Sequence, residues 1–331
     1  MPTESQIPLY RLVLGLQDIF DRYPPYVTNP NKQVVFDLAC PVGASHQGQL
    51  IVSRWAPSPL PETICREKKK INLQYRSGYF TYEMPPAQRL DWHLNFAHSD
   101  LFCAYGGPLF AQDEMQVAEH PICGSVRQAL LDCDCPPSTM GTNGPTPILI
   151  QGVERRCSIA TDPCPQALRP YGLYGNAFAR ASEIAIRNAV TIIDPPTRSN
   201  LIAIEAPYGR YGQYDRDDIQ NILLTAYTGF RAACQETIGK ASELQTAIHT
   251  GYWGCGAYGG NRELMAILQI IAATLADVHM LYFYTGDDSK PYERAIESLD
   301  AVALWDSTIE LDDCIQIILD RGYEWGVSDG N

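Results

Sequence analysis

The sequence predicts an α/β protein, with a mixed or parallel sheet covered by helices on both faces. Three observations carry this. Short β-branched or apolar runs alternate with segments of helical periodicity across residues 90–325. The stretch His249–Asn261 is a strand-to-helix crossing with glycine at 251, 254, 256, 259 and 260. The 331 residues are 45% hydrophobic and 19% charged, enough apolar material for a sizeable core.

In chain order, Leu9, Val13, Leu16 and Phe20 fall at helical spacing, and Pro24-Pro25 ends that stripe. Val34–Leu38 and Leu50–Trp55 read as strands, and Pro57, Pro59 and Pro61 mark a loop. Residues 66–70 are a local basic run, a pattern that more often makes a solvated face than a site. No chemistry is evident before residue 86, so residues 1–85 are expected to be an accessory segment packed on a body of residues 86–331. Trp92–Ala97 reads as a buried strand. Ile148–Gln151, Ala189–Ile193 and Leu201–Ile204 read as further strands, the last two separated by a turn at Pro195–Asn200. Ile219, Ile222, Leu223 and Phe230 predict a helix. Leu244–Ile248 predicts a strand, and Leu264, Ile267, Leu268, Ile271 and Leu275 form one helical face. A strand at His279–Tyr284 and a helix through Leu311, Ile315, Ile318 and Leu319 complete the pattern.

Composition excludes several classes. A formal net charge of −13 speaks against a duplex-binding surface, which needs clustered Lys and Arg. No apolar run is long enough to span a bilayer, and the first residues lack a basic region followed by an apolar one. A cytoplasmic protein with no membrane partner is therefore expected. Eleven cysteines in so long a chain do not suggest a disulfide scaffold, and their spacing makes no metal site. The expectation is no metal and no cofactor.

Glycine lets a ligand approach the backbone, and unpaired N–H groups near a helix N-terminus can hold a phosphate or diphosphate. An acidic protein can bind an anion this way, without a basic patch. The 249–261 loop matches neither the dinucleotide fingerprint nor the P-loop, so its glycines alone say little. Gly106-Gly107 is a second candidate cradle. Asp113 and Glu114 are adjacent acids in an apolar neighbourhood, and the residues alone favour a helix first turn, where negative charge complements the dipole, over catalysis. Tyr171-Gly-Leu-Tyr174 could stack on a base or simply pack a loop.

Taken together, four blocks resemble the catalytic domain of poly(ADP-ribose) glycohydrolase. They are Asn95-Phe-Ala with Gly106-Gly107 and Gln112-Asp113-Glu114-Met; Tyr171-Gly-Leu-Tyr174; Ile202–Ala206 with Leu224–Phe230; and Thr250–Gly260 running on to Tyr284-Thr285-Gly286-Asp287. The resemblance covers roughly residues 90–300. It implies a macrodomain-like three-layer α/β/α fold with a mixed central sheet. It also implies that ADP-ribose or poly(ADP-ribose), carried on modified proteins, is the ligand. Glu114 stands where the family places its catalytic glutamate, and Asp113 where the neighbouring acid binds ribose hydroxyls. Asn95, Gly106, Gly107, Gln112, Tyr174, Gly254, Cys255, Gly256, Ala257, Tyr258, Gly259 and Thr285 are the implied substrate-binding residues. Among them Tyr174 covers adenine, Tyr258 orders the ribose near the reacting carbon, and the two glycine stretches wrap the diphosphate.

The chain departs from the family in a two-glycine run, in Gln-Asp-Glu for Gln-Glu-Glu, in His98 for an asparagine, and in Thr285 where an aromatic is usual. These departures keep two other readings open: removal of single ADP-ribose units, and non-catalytic ADP-ribose binding. The implied chemistry is cleavage of a ribose–ribose bond through an oxocarbenium-like cation. Glu114 would protonate the leaving hydroxyl, then deprotonate water. A carboxyl in a dry pocket beside a second acid should have a raised pKa.

Overall fold

The computed structural model describes residues 7–64, 71–301 and 308–330. Its centre is an eight-stranded sheet of β1 (Tyr10–Gly15), β2 (Gln49–Arg54), β3 (Asn72–Arg76), β4 (Arg89–Ala97), β5 (Ile148–Ile159), β6 (Val190–Glu205), β7 (Gln245–Gly251) and β8 (Met280–Tyr284). The spatial order is β1-β2-β5-β6-β4-β7-β8-β3. From β6 to β3 every neighbour is parallel, whereas β1, β2, β5 and β6 pair antiparallel. The sheet is thus mixed, and the parallel half ends all its strands on one edge.

The two faces are read directly from the pleat, because successive side chains point to opposite sides. Along β6, Leu201 and Ala203 pack into one core, while Ile202 and Ile204 pack into the other. The first core is closed by α1 (Leu16–Arg22), α2 (Pro30–Ala39), α3 (Gln112–Glu119), α4 (Ile122–Asp132), α5 (Asn176–Arg180) and α6 (Glu183–Ala189). The second lies under α7 (Arg216–Lys240), α8 (Arg262–Leu275), α9 (Lys290–Ala301) and α10 (Leu311–Leu319), with Trp92, Phe230 and Trp253 fully buried. This is the three-layer arrangement the alternating pattern predicts. No described helix is long and apolar enough to cross a membrane.

Three expectations are corrected. The stripe at residues 9–20 is not one helix. Residues 10–15 pair with β2, Leu12 opposite Val52, and helix begins only at Leu16 after Gly15. Ladder hydrogen bonds to a neighbour distant in sequence outweigh local periodicity here. Val34–Leu38 is helical, not a strand. Asn29 caps α2 by accepting from the Lys32 N–H at 3.1 Å, and Pro30 starts it with its φ already suited to helix. The turn expected between Ala189–Ile193 and Leu201–Ile204 is absent, and β6 runs unbroken from residue 190 to 205. Thr197 and Ser199 pair with Arg155 and Val153, and the ladder then skips to Ile192 opposite Cys157, so residues 193–196, with Pro195 and Pro196, bulge from β6 without ending it.

Residues 1–85 supply β1, β2 and β3, of which β1 and β3 form the two edges of the sheet. The basic run at 66–70 lies outside the described residues.

Candidate active site

Open parallel sheets bind ligands beyond the carboxyl ends of their strands. Here β4, β6, β7 and β8 end together at Ala97, Glu205, Gly251 and Tyr284. Two adjoining pockets open there. The larger holds about 460 Å³ and is lined by Tyr79, Phe80, Tyr82, Gly251, Tyr252, Cys255, Thr285 and Arg262, among others. The smaller, about 140 Å³, is lined by His98, Cys103, Asp113, Glu114, Gly254, Ala257 and Tyr258. Phe96, Gln112, Tyr174 and Gly256 line both, so the two are halves of one cleft.

The acids reach the cleft through the start of α3. Gln112 ties that helix to β4: its amide nitrogen donates to the Leu94 carbonyl at 3.0 Å, and its oxygen accepts the Phe96 N–H at 2.8 Å. Glu114 folds back so that Oε2 accepts the N–H of Ala111 at 3.0 Å. Ala111 has no side-chain acceptor to complete a capping box, so this single bond fixes the carboxylate. Glu114 is buried and faces the small pocket. Asp113 is buried beside it, and Asn95 donates to its Oδ1 at 3.0 Å. Burial first, and the charge of Glu114 second, push the Asp113 carboxyl up to about 8. The Asn95 bond and the charges of Lys32 and Arg127 oppose that rise only in part. Lys32, fully buried in α2, has its ammonium pushed down to about 8 by burial against the pull of Glu114 and Asp113. The floor is therefore a low-dielectric carboxyl pair above one buried cation.

The crossing from β7 to α8 forms the roof. Part of the loop is closed on itself. The Gly260 N–H donates to the Gly254 carbonyl at 2.9 Å, and the Gly259 N–H to the Gly256 carbonyl at 3.0 Å. Among the described residues, the N–H groups of Gly254, Gly256, Ala257 and Tyr258 have no protein acceptor. These residues border the small pocket just before Asn261, which caps α8 by accepting from the Leu264 N–H at 3.1 Å. Unspent donors at a helix N-terminus suit an anion. Gly254 requires glycine twice over: its φ is +73°, and a Cβ there would lie 2.7 Å from Pro207 Cδ. The larger pocket is acidic at its mouth, with Asp162, Asp287, Asp288 and Asp329 against Arg262. An anionic ligand is thus met by backbone dipoles rather than by a cluster of cations.

The cleft gathers most, but not all, of the residues expected from sequence. Tyr174 sits at the junction of the pockets, and Thr285 lines the larger. Asn95 lies behind Asp113, and Gly259 lines neither pocket; its carbonyl accepts from the Gly326 N–H at 2.7 Å. Gly106 and Gly107 stand apart from the cleft. The Gly106 carbonyl accepts from the N–H groups of Thr28 and Asn29, and a Cβ there would lie 2.3 Å from the Tyr26 carbonyl oxygen. Closeness to another backbone accounts for glycine at 106. Sequence reading missed Tyr79, Phe80 and Tyr82, which lie in a region taken to hold no chemistry. Their one signal was the aromatic density of Tyr79-Phe-Thr-Tyr82. It also missed Lys32 and Asp329. No group of three or more His, Cys, Asp or Glu residues among the described residues could hold a metal ion.

The sheet, its two helical layers and a cleft at the strand ends define the class: a mixed, three-layer α/β body. Residues 167–291 match the family model described as poly(ADP-ribose) glycohydrolase, Macro domain fold. The chain is thus similar to the poly(ADP-ribose) glycohydrolase family, as its motifs suggested. A probable poly(ADP-ribose) glycohydrolase 2 from Arabidopsis thaliana is 21% identical over 78% of this chain. The chain spans about half of that relative, 55% of its length. Among solved structures, poly(ADP-ribose) glycohydrolase from Deinococcus radiodurans in complex with ADP-ribose is 13% identical. The alignment covers 87% of this chain and 95% of that one, with a TM-score of 0.39. The Thermomonospora curvata enzyme bound to the inhibitor ADP-HPD is 13% identical, over 85% and 95%, with a TM-score of 0.42.

Proposed function

We propose that this protein is a poly(ADP-ribose) glycohydrolase, a glycosidase that hydrolyses the ribose–ribose bond to release ADP-ribose. The carrying observation is a buried carboxylate, Glu114, in the same small pocket as the unspent N–H groups of Gly254–Tyr258. In this reading adenosine fills the larger pocket against Tyr174, and the diphosphate lies along the glycine loop. The terminal ribose then enters the small pocket, with its anomeric carbon at Glu114. Glu114 delivers a proton to the departing ribose oxygen and then takes one from the attacking water. Asp113 shares the buried pair's proton with Glu114 and meets the ribose hydroxyls. The diphosphate, held close to the sugar, offsets the positive charge that develops at the anomeric carbon.

The test is release of ADP-ribose from an automodified polymer. Glu114→Gln is expected to lower kcat by about 10²–10⁴-fold while ADP-ribose still binds. Equal rates for variant and wild type would remove the assignment. Removal of single ADP-ribose units is the second reading, favoured by aspartate at 113, whose shorter reach changes the ribose clamp. Parallel assays on mono- and poly-modified protein separate the two. The acidic net charge and the lack of a spanning helix among the described residues favour a cytoplasmic setting with no duplex nucleic acid or membrane partner.

A further inference from the structure

The glycohydrolase reading fills the cleft up to Glu114 but leaves unexplained a group of rings on the outer side of the small pocket. That side carries residues the larger pocket does not share: His98, Cys103, Ala104, Leu109 and Tyr258. Just beyond them stands Tyr208, 52% exposed, in the connection from β6 to α7. Its ring lies 5.1 Å from that of Tyr258 and 6.2 Å from that of His98. The ring is held in place. His98 Nδ1 accepts the Asp100 N–H at 3.0 Å, so the ring proton sits on Nε2 and donates to the Tyr208 hydroxyl at 2.8 Å. The backbone is pressed into position as well, since a Cβ on Gly209 would lie 2.2 Å from the Tyr258 carbonyl oxygen.

We propose that Tyr208, pinned by His98 and backed by Tyr258, is a leaving-side subsite that stacks the purine of the unit departing from Glu114. An exposed ring costs no binding energy to present when its phenol is already fixed, and a purine offers a flat face to cover it. The charges nearby point the same way. Glu205 ends β6, while Arg127 is paired with Asp100 at 2.6 Å and Arg210 on the same connection with Asp218 at 3.1 Å, so neither guanidinium is free to meet a phosphate. Such surroundings suit a neutral base and not a phosphate. The subsite would make this enzyme prefer leaving groups that bear a base over small alcohols or amino-acid side chains.

The inference rests on the glycohydrolase reading, and two substrates keep their failures apart. One is a dimer of ADP-ribose joined through the ribose–ribose bond, and the other is the methyl glycoside of ADP-ribose, whose leaving group carries no base. Tyr208→Ala is expected to lower kcat/KM on the dimer about tenfold, through KM, with no matching fall on the methyl glycoside. Tyr208→Phe, which keeps the ring but loses the bond to His98, should fall less on the dimer than Tyr208→Ala does. ADP-ribose affinity measured by calorimetry should be the same in all three proteins. A fall of equal size on both substrates, or no fall on either, overturns the subsite and leaves the glycohydrolase reading standing. Wild-type protein that binds ADP-ribose and cleaves neither substrate overturns both.

Discussion

Asp113 gives the sharpest test of the electrostatics at the cleft floor. Its carboxyl ordinarily titrates at 3.8 and is raised to about 8 here, by burial first and then by Glu114. The folded chain therefore binds this proton more tightly than the unfolded chain does. The stabilisation from that proton is complete below pH 3.8 and is lost as pH rises toward about 8. At pH 7 the loss amounts to at most about 4 kcal/mol, taking 1.36 kcal/mol per pH unit across the interval. Asp113→Asn removes the titration, keeps the side-chain volume and leaves an oxygen to accept from Asn95. The variant's unfolding free energy, relative to wild type, should therefore climb by up to about 1.4 kcal/mol per pH unit between pH 5 and 8. Urea unfolding followed by tryptophan fluorescence at four pH values measures it. A difference that stays flat across that range refutes the argument, because it would mean that Asp113 is charged in the folded protein at pH 5.

Two further outcomes follow from the geometry. Gly254→Ala puts a Cβ on a residue at φ +73° and against Pro207, so the loop must distort. We expect a cost of about 1–3 kcal/mol, read as lower thermal stability together with weaker ADP-ribose binding by calorimetry. Glu154 lies far from the cleft and behaves oppositely to Asp113. Despite the cost of burial, the His46 ring, the Gln47 N–H and Arg156 hold its carboxyl down at about 2. Its stabilisation is present above pH 4.5 and lost as pH falls through about 2. Glu154→Gln should thus cost up to about 3 kcal/mol at neutral pH, and the variant should unfold at a higher pH in an acid titration.

The sequence by itself determined the layer architecture, because periodicity and alternation are local properties of the chain. The helix after Asn261, the helix around Ile219–Phe230 and the strands at 92–97, 245–248 and 280–284 all stand where their patterns lie. It also carries the residue types that the loop before Asn261 and Gln112-Asp113-Glu114 bring to the cleft: glycines that accept positive φ, and two adjacent acids.

The tertiary structure decided what depends on partners remote in sequence. Residues 10–15 are a strand because β2 offers them a ladder, and residues 197–200 are a strand because β5 does. Gly106 packs against the Tyr26–Asn29 segment, a contact that no local pattern announces. The cleft walls are drawn from residues 79–82, 96, 112–116, 174, 251–258, 284–288 and 329. Only parallel strands ending on a common edge bring these together, and only burial beside Glu114 raises the Asp113 carboxyl. Proximity and dielectric are properties of the folded molecule, and the order of residues along the chain does not encode either one locally.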